Sequence, residues 1–226
     1  MVWNKTENLQ NQIIDIMNNT HMSKRTTEDH MNKFNSDMWV NLTWMCPGVR
    51  RAHLDVVDAR DTKGLWMMHV CLMPEFDNTS PIFGLDIIAG KNKVTGAFLD
   101  YSPGSDYRNN MLDHFSSEVS KYGWTKKREL PRWALNIFSQ HMVAAGNLKD
   151  DDELDSFINL SIDCLKYYIE ECPKQQKRPE IYGHISQNNY CRNQKMNPHT
   201  PRVMKSLGLN ENDVDFFIDK CLFPNT

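Results

Sequence analysis

Two short apolar runs, Leu65–Met73 and Ile82–Ala89, constrain the fold of this chain more than any other feature. They are separated by a turn-like stretch with proline at each end, Pro74–Pro81, which is typical of a connection between strands. Parallel neighbours need a crossover of about a dozen residues or more, so this connection predicts two antiparallel strands.

The same two runs carry a histidine and an aspartate that antiparallel pairing brings together. If pairing begins with Met73 opposite Ile82, the residue numbers of every opposite pair add up to the same total. His69 then lies directly across from Asp86, on the same face of the sheet. Apolar strands seldom contain an imidazole and a carboxylate unless the two groups satisfy each other or take part in chemistry. This pair is therefore the first candidate site.

A third strand extends the cluster if its register is right. Ala52–Val57 precedes the Leu65 strand by a short turn and is predicted to be its other neighbour. Within one residue of register, Asp55 falls opposite His69, and His53 falls opposite Cys71. A slip of one residue would move His53 and Asp55 to the other face of the sheet, so the cluster depends on register.

Three interpretations of the pair are open at this point. Periodicity alone favours a structural pair in which Asp86 orients His69 inside the core. A metal site has less support, because the chain has no His-x-x-x-His motif and a His-x-Asp on one strand is a weak signal. The third interpretation is proton delivery, since a carboxyl in apolar surroundings and a neighbouring imidazole titrate as one unit.

Charge and motifs argue against several classes of protein. The net charge of -3 excludes a generally basic nucleic-acid binder, and no segment is long and apolar enough to span a membrane. The six cysteines form no C-x-x-C pair and the start of the chain lacks the apolar core of a signal peptide, which together predict a cytoplasmic protein. The motifs for a bound dinucleotide, for nucleotide hydrolysis and for α/β-hydrolase chemistry are absent from the sequence.

The order of patterns predicts one α/β domain over residues 1–226, in which strands precede most helices. An amphipathic helix comes first, and the chain is mainly helical from Tyr107 onward. Such an order favours an antiparallel sheet covered by helices. The predicted strands are Met38–Met45, Ala52–Val57, Leu65–Met73, Ile82–Ala89 and Val94–Asp100.

Capping signals delimit the later helices. Asp150–Asp152 marks a helix start, and a further helix is predicted over Ile185–Met196. Thr200 before Pro201 predicts an N-cap with proline at the first helical position, and Gly208 predicts the end of that helix. A last helix is predicted from Asn210.

Four stretches from Arg50 onward resemble the ferredoxin-dependent bilin reductase family. They occur in the family's order and cover most of the chain, and the second and third are the most specific. The stretches are Ala52-His53-Leu54-Asp55; Met68–Glu75 through Pro81–Gly90 to Asp100-Tyr101-Ser102-Pro103; Arg128–Trp133 with Ile137-Phe138-Ser139; and Tyr190-Cys191 with Asn197, Arg202-Val203 and Leu222-Phe223.

The resemblance implies a three-layer α/β/α sandwich with a central antiparallel sheet flanked by helices. It implies that an open-chain tetrapyrrole, biliverdin IXα, lies between the sheet and the C-terminal helices of a monomer. It also implies that no flavin, metal or nicotinamide is bound. Electrons would arrive singly from a reduced 2Fe-2S ferredoxin, and the protein would supply protons.

The resemblance also assigns roles to individual residues. Asp86 matches the central proton donor beneath the bilin, with His69 as its hydrogen-bonded partner. His53 and Asp55 match a second His-x-acid position near the substrate, where Asp55 replaces the glutamate of the phycocyanobilin-forming enzymes.

Five further residues match substrate-binding positions of the family. Without the resemblance, an exposed arginine, a core tryptophan and solvated helix residues would be the ordinary interpretations. The residues are Arg128 for a propionate, Trp133 for the pocket lining, Gln194 and Asn197 for polar contacts, and His199, which occupies a position where the phycocyanobilin-forming enzymes have a propionate-binding lysine.

One departure from the family's pattern bears on the product. After the asparagine that matches Asn197, the phycocyanobilin-forming enzymes have an aspartate used in reduction and then a propionate-binding lysine. Here Pro198 and His199 occupy these positions, and proline cannot deliver a proton. We therefore expect four-electron reduction of biliverdin IXα to phycoerythrobilin through 15,16-dihydrobiliverdin.

Three alternatives to that product stay open. They are phycocyanobilin formation, a single two-electron reduction to a dihydrobiliverdin, and a non-catalytic bilin carrier. Because plant-type ferredoxin is acidic, any of the reductases needs a local basic patch. The candidates are Arg50, Arg51, Lys91, Lys93, Lys126, Lys127, Arg192, Lys195, Arg202 and Lys205.

Overall fold

The computed structural model describes residues 1–104, 109–149 and 151–226. Within these residues, seven strands form one sheet, in which strands that are consecutive in sequence are antiparallel neighbours. The strands are β1 Lys24–Thr26, β2 Trp39–Cys46, β3 Val49–Ala59, β4 Leu65–Pro74, β5 Ile82–Ala89, β6 Val94–Ser102 and β7 Val143–Ala145.

Helices lie on both faces of the sheet. Short 3-10 turns, Asp29–Phe34 and Cys172–Lys174, accompany them, and a π-helical turn, Phe217–Leu222, follows the last helix. The helices are α1 Val2–Asn19, α2 Arg60–Lys63, α3 Asn110–Val119, α4 Arg132–Leu135, α5 Asp152–Glu171, α6 Ile181–Gln194, α7 His199–Ser206 and α8 Glu211–Phe216.

Alternation along the strands divides the buried apolar residues into two cores. On β4, Val70 and Leu72 face the larger core, where α1, α3 and α5 cover the sheet. Cys71 and Met73 face the smaller core, which α6, α7, α8 and the π-helical turn cover. The expected three-layer α/β/α sandwich is confirmed, and the polar residues of interest lie on the side of the smaller core.

The five predicted strands are present as β2 to β6, whereas β1 and β7 were not predicted. Each of the two has three residues, too few to show an alternation of apolar and polar side chains. Both complete the sheet by pairing with a longer neighbour, so tertiary context rather than local pattern makes them strands.

Two predicted helix starts were wrong. α6 begins at Ile181 rather than Ile185, because the exposed residues of its first turn hide the helical pattern. α7 begins at His199, before the predicted cap Thr200, since the Asn197 Oδ1 accepts the His199 backbone N–H at 3.0 Å. Pro201 fits inside the first turn, where backbone N–H groups have no partner within the helix.

The other capping predictions are confirmed where the structure describes the residues. Asp151 caps α5 by accepting the Glu153 N–H, while Asp150 lies outside the described residues, as does Tyr107. Asn210 caps α8. Gly208 follows the end of α7 with a φ of 100°, a left-handed conformation that glycine adopts without strain.

Candidate active site

The predicted pair forms at the centre of the sheet. His69 on β4 lies opposite Asp86 on β5, and the two atoms His69 Nδ1 and Asp86 Oδ1 are 2.7 Å apart. The Asp86 side chain is 42% exposed and that of His69 only 12%, so the carboxylate is the end of the pair that an incoming molecule would meet. This is the geometry of an acid that is oriented by a buried base.

The third strand has the register that brings its polar residues to the same place. Asp55 lies opposite His69, and His53 lies opposite Cys71. The His53 and His69 rings approach edge to face, with 6.4 Å between their centroids. The Trp39 indole N–H donates a hydrogen bond to Asp55 Oδ1, so β2 also contributes to the cluster.

His53 lies behind the wall of the site rather than in it. The resemblance assigned it to substrate binding, but its side chain is fully buried, and its Nε2 contacts Asn41 Oδ1 at 3.1 Å. Because an amide oxygen only accepts, Nε2 carries the proton of a neutral ring. Burial lowers the pKa of His53 well below its ordinary value, so the ring is neutral and lies behind His69 rather than among the residues that line the cleft.

Two of the acid–base groups that line the site, His69 and Asp55, have shifted pKa values. Burial disfavours the His69 imidazolium, but the charge of Asp86 and its hydrogen bond outweigh burial and raise the pKa of His69 to about 10. Burial raises the pKa of Asp55 to about 6, against the hydrogen bond from Trp39, which lowers it. The cluster can therefore hold protons near neutral pH.

We expect His69 to remain an imidazolium at pH 8 in the substrate-free protein and to lose this property when Asp86 is replaced by asparagine. Without the carboxylate, burial is opposed only by the smaller contribution of Cys71, so the pKa of His69 should fall well below about 10. Histidine NMR shifts recorded against pH measure this directly, and a His69 titration near pH 6.5 in both proteins would contradict the coupling.

The same pair gives a prediction for stability. Because the pKa of His69 is higher in the folded protein than its ordinary value of 6.5, protonation of His69 stabilises the folded state. This contribution is complete below pH 6.5 and is lost as the pH rises toward about 10. The difference in unfolding free energy between the wild type and Asp86→Asn should therefore shrink over that range. Urea titrations at several pH values measure it.

A cleft opens above the pair, between the sheet and the second helical layer. Its volume is about 1210 Å³, including the space at its open mouth. The strands β3 to β6 form its floor, and the residues around α4, α6, α7 and the chain end form its walls. The predicted site residues that line it are Asp55, His69, Asp86, Arg128, Trp133, Gln194, Asn197 and His199.

Arg128 lies at the edge of the cleft because its segment pairs with β7. Its backbone N–H donates to the Ala144 carbonyl at 2.8 Å, and its Nη2 donates to the Thr95 carbonyl at 2.5 Å. Its guanidinium stands over the Phe98 ring, 5.8 Å from the centroid. The exposed side chain thus has donors left for an anion at the mouth of the cleft.

The helical wall presents neutral polar groups to the cleft. Gln194 is buried and donates to the Tyr190 hydroxyl at 2.8 Å, which fixes the amide. The Asn197 side chain accepts the backbone N–H of His199, which is exposed at the first position of α7. On the facing wall, Trp133 is half-buried and meets Phe138 edge to face, with 6.1 Å between centroids.

Sequence reasoning did not find two aromatic residues that shape the site. Phe223 packs edge to face against His69, with 5.7 Å between centroids, and Trp39 binds Asp55. Alternation on β2 indicates that Trp39 faces inward, but no local signal links it to a carboxylate on the next strand. Its partner could be found only from the register of β2 and β3.

In the described part of the chain, no group of three histidine, cysteine, aspartate or glutamate residues is arranged to hold a metal ion. The six cysteines are free and buried. No helix among the residues that the structure describes is long and apolar enough to cross a membrane.

The model of one protein family, described as ferredoxin-dependent bilin reductase, matches residues 5–224. The chain belongs to this family. It is therefore an oxidoreductase that acts on a bilin with electrons from ferredoxin.

Several known proteins are similar to this bilin reductase. Phycocyanobilin:ferredoxin oxidoreductase of Synechococcus sp. (strain CC9605) is 32% identical over 192 residues, which are 82% of this chain and 75% of that protein. The enzyme of the same name from Prochlorococcus marinus (strain MIT 9515) is 30% identical over 185 residues, 78% of this chain and 73% of that protein.

Two solved structures share the fold of this bilin reductase. The structure of PcyX is 32% identical, with a TM-score of 0.72, over 98% of this chain and 99% of that chain. Phytochromobilin synthase from tomato, solved in complex with biliverdin, also has a TM-score of 0.72, over 95% of this chain and 82% of that chain. At 14% identity, this second likeness concerns the fold alone.

Proposed function

We propose that this reductase binds biliverdin IXα in the cleft and reduces it by four electrons to phycoerythrobilin, through 15,16-dihydrobiliverdin. The observation that carries the proposal is the Asp86–His69 pair on the floor of the cleft. A buried imidazolium that can pass its proton through a carboxylate open to the cleft is suited to protonating a bound molecule. The tomato enzyme that shares the fold was solved with biliverdin.

The cleft suits a long, mostly apolar pigment with two carboxylates. Its walls combine aromatic and aliphatic side chains with a few polar groups, which is the usual composition of a small-molecule site. Arg128 at the edge would bind one propionate, and His199 lies where a second anion could be met.

Proton delivery would follow the order of exposure within the pair. Ferredoxin supplies one electron to the bilin. The proton stored on His69 passes along the 2.7 Å hydrogen bond to the Asp86 carboxylate, and from Asp86 to the bilin radical. The second electron and a second proton complete the reduction of one double bond, and repetition of the sequence at another double bond accounts for four electrons and four protons.

The choice of product rests on where proton donors are missing. Of the residues that line the cleft from α6 and α7, none is a carboxylic acid in the described part of the chain, and Pro198 has no proton to give. Donors are instead concentrated on the sheet, which favours reduction at the methine bridge and the A-ring diene over the D-ring vinyl group. The names of the curated relatives favour phycocyanobilin as the alternative.

Anaerobic incubation with biliverdin, ferredoxin and a reducing system, followed by chromatography of the pigment, tests the proposal. Phycoerythrobilin with dihydrobiliverdin as its precursor is the expected result. A product with a reduced D-ring vinyl group would identify a phycocyanobilin-forming enzyme. Accumulation of dihydrobiliverdin would indicate a two-electron enzyme, and an unchanged, tightly bound pigment would leave only the bilin carrier.

We expect the change Arg128→Gln to weaken biliverdin binding about tenfold, because a hydrogen bond between charged groups contributes about 1.5 kcal/mol or more and exposure reduces it. Absorbance titration of the pigment measures the dissociation constant. Lys127→Gln removes a neighbouring charge that does not line the cleft and serves as the control. Equal affinities in the two variants would remove Arg128 from the site.

The docking surface for ferredoxin should include the edge of the cleft beside Arg128. Three of the ten basic candidates already form ion pairs: Arg51 with Glu28, Lys195 with Asp219, and Lys205 with Glu211. The candidates that are exposed and make no ion pair with the described residues are Lys91, Lys93, Lys126, Lys127, Arg192 and Arg202. Of these, Lys126 and Lys127 directly precede Arg128, which makes that edge the best match to an acidic partner.

A further inference from the structure

The hydrogen bond from Trp39 to Asp55 joins a buried aromatic residue to an acid in the wall of the cleft. We infer that Trp39 is a positioning residue, which holds Asp55 so that any proton on this carboxyl lies on Oδ2 and is available to the cleft. The inference rests on the proposed function, because it gives Asp55 a part in the same reduction.

The chemistry of the indole group determines which oxygen can carry the proton. An indole N–H donates a hydrogen bond and cannot accept one. Since it donates to Oδ1, that oxygen remains an acceptor whether Asp55 is charged or neutral. Because the carbonyl oxygen of a carboxylic acid accepts a hydrogen bond better than its hydroxyl oxygen, a proton on Asp55 is favoured on Oδ2, which makes no hydrogen bond to the described residues while the side chain lines the cleft.

Packing holds Trp39 in place and keeps it out of the cleft. Its ring meets the Phe217 ring of the π-helical turn edge to face, with 4.8 Å between centroids. The centroid of the Phe34 ring, in the 3-10 turn, is 6.0 Å away. It is 6% exposed and is not part of the cleft wall. A donor fixed by two neighbouring rings imposes one orientation on Asp55, whereas a mobile donor would allow several.

The charges around Asp55 come from several elements. His69 on β4 favours its ionised form, whereas Asp86 on β5 disfavours it. The Cys221 thiol faces it from the π-helical turn, and burial raises the pKa of that thiol to about 12, so it stays neutral. Among these neighbours, Trp39 favours the ionised form of Asp55 through a direct hydrogen bond.

The proposed reduction consumes equal numbers of electrons and protons. Each two-electron reduction takes two electrons from two ferredoxin molecules and two protons from the protein. One proton comes from the Asp86–His69 pair, and the second leaves Asp55 Oδ2 for the bilin. Asp55 is left as a carboxylate, stabilised by the Trp39 N–H, until water at the mouth of the cleft returns a proton.

The test compares Trp39→Phe with Trp44→Phe. Both changes remove a buried indole N–H, but Trp44 donates to Asn18 at 2.9 Å and packs in the larger core, away from the cleft. We expect Trp39→Phe to retain biliverdin affinity, to lower kcat about tenfold, which corresponds to the loss of one hydrogen bond to a charged group, and to shift the pH profile upward. Trp44→Phe should keep the kcat and pH profile of the wild type.

Two further measurements separate positioning from packing. In Asp55→Asn, adding Trp39→Phe should not lower kcat further, because both changes act through one group. Carboxyl carbon NMR should show that Asp55 titrates at higher pH in Trp39→Phe than in the wild type. The NMR result needs no turnover, so it tests the inference even if the enzyme fails to reduce biliverdin.

An Asp55 titration that is unchanged in Trp39→Phe, or additive losses in the double variant, would overturn the inference. If Trp39→Phe does not fold, 3-benzothienylalanine at position 39 keeps the shape of the ring and lacks the N–H. That protein is expected to show the same shift of the Asp55 titration, and its absence would be equally decisive.

Discussion

The change Asp86→Asn is expected to leave biliverdin bound in the cleft and to lower kcat at least about 100-fold. A positioned general acid contributes a factor of about 100 to 10,000 to a rate, and asparagine has nearly the same shape but no acidic proton. Single-turnover reduction under anaerobic conditions, followed by the absorbance of the pigment, measures the loss. Pigment binding should change little, because Asp86 contributes a proton rather than a propionate contact.

A control for this variant is Asp61→Asn, which alters an exposed carboxylate on α2, outside the residues that line the cleft. We expect wild-type turnover there. If Asp86→Asn instead kept the wild-type rate, the protons would have to come from another group, and Asp55 would be the first to examine.

The largest effect on stability is expected from Gly183→Ala, at about 3 kcal/mol or more. A Cβ at this position would lie 2.1 Å from the Phe76 carbonyl oxygen and 2.5 Å from the Phe76 Cα. Both are backbone atoms that cannot turn aside, so α6 or the loop between β4 and β5 would have to move. Urea unfolding followed by circular dichroism measures the change.

The matched control is Gly123→Ala, where an added Cβ would have no neighbour within 4 Å. A stability within about 0.5 kcal/mol of the wild type is expected there. Equal stabilities of the two variants would mean that α6 does not pack against Phe76 as described. Because α6 carries Gln194, Gly183→Ala should also weaken biliverdin binding in the fraction that folds.

The centre of the site could be predicted from the sequence because antiparallel pairing obeys a simple rule. No register shift interrupts β4 and β5 where they pair, so the constant-sum relation from Met73 and Ile82 holds as far as His69 and Asp86. The same rule gave the positions of Asp55 and His53 on β3 to within one residue, and the observed register places them opposite His69 and Cys71. Alternation then decided which face they share.

The rest of the site depends on contacts that no local pattern reveals. Predicting the Trp39–Asp55 hydrogen bond requires the register of a third pair of strands. The edge-to-face contact of Phe223 with His69 joins two residues that are far apart in sequence. The start of α7 was misplaced because the helix begins one residue before the predicted cap Thr200, where the His199 N–H donates to Asn197 Oδ1. The resemblance placed His53 near the substrate, whereas its side chain is fully buried in the structure.

The strict sequence order of the strands separates two tasks along the chain. The acid–base groups Asp55, His69 and Asp86 come from three consecutive strands joined by short connections, whereas Arg128, Trp133 and the helical wall come from later segments. The acid–base groups and the wall of the cleft therefore lie on separate segments of the chain. Substitutions in the later segments can therefore redirect which bond of a pigment meets the acid while the acid itself is left intact.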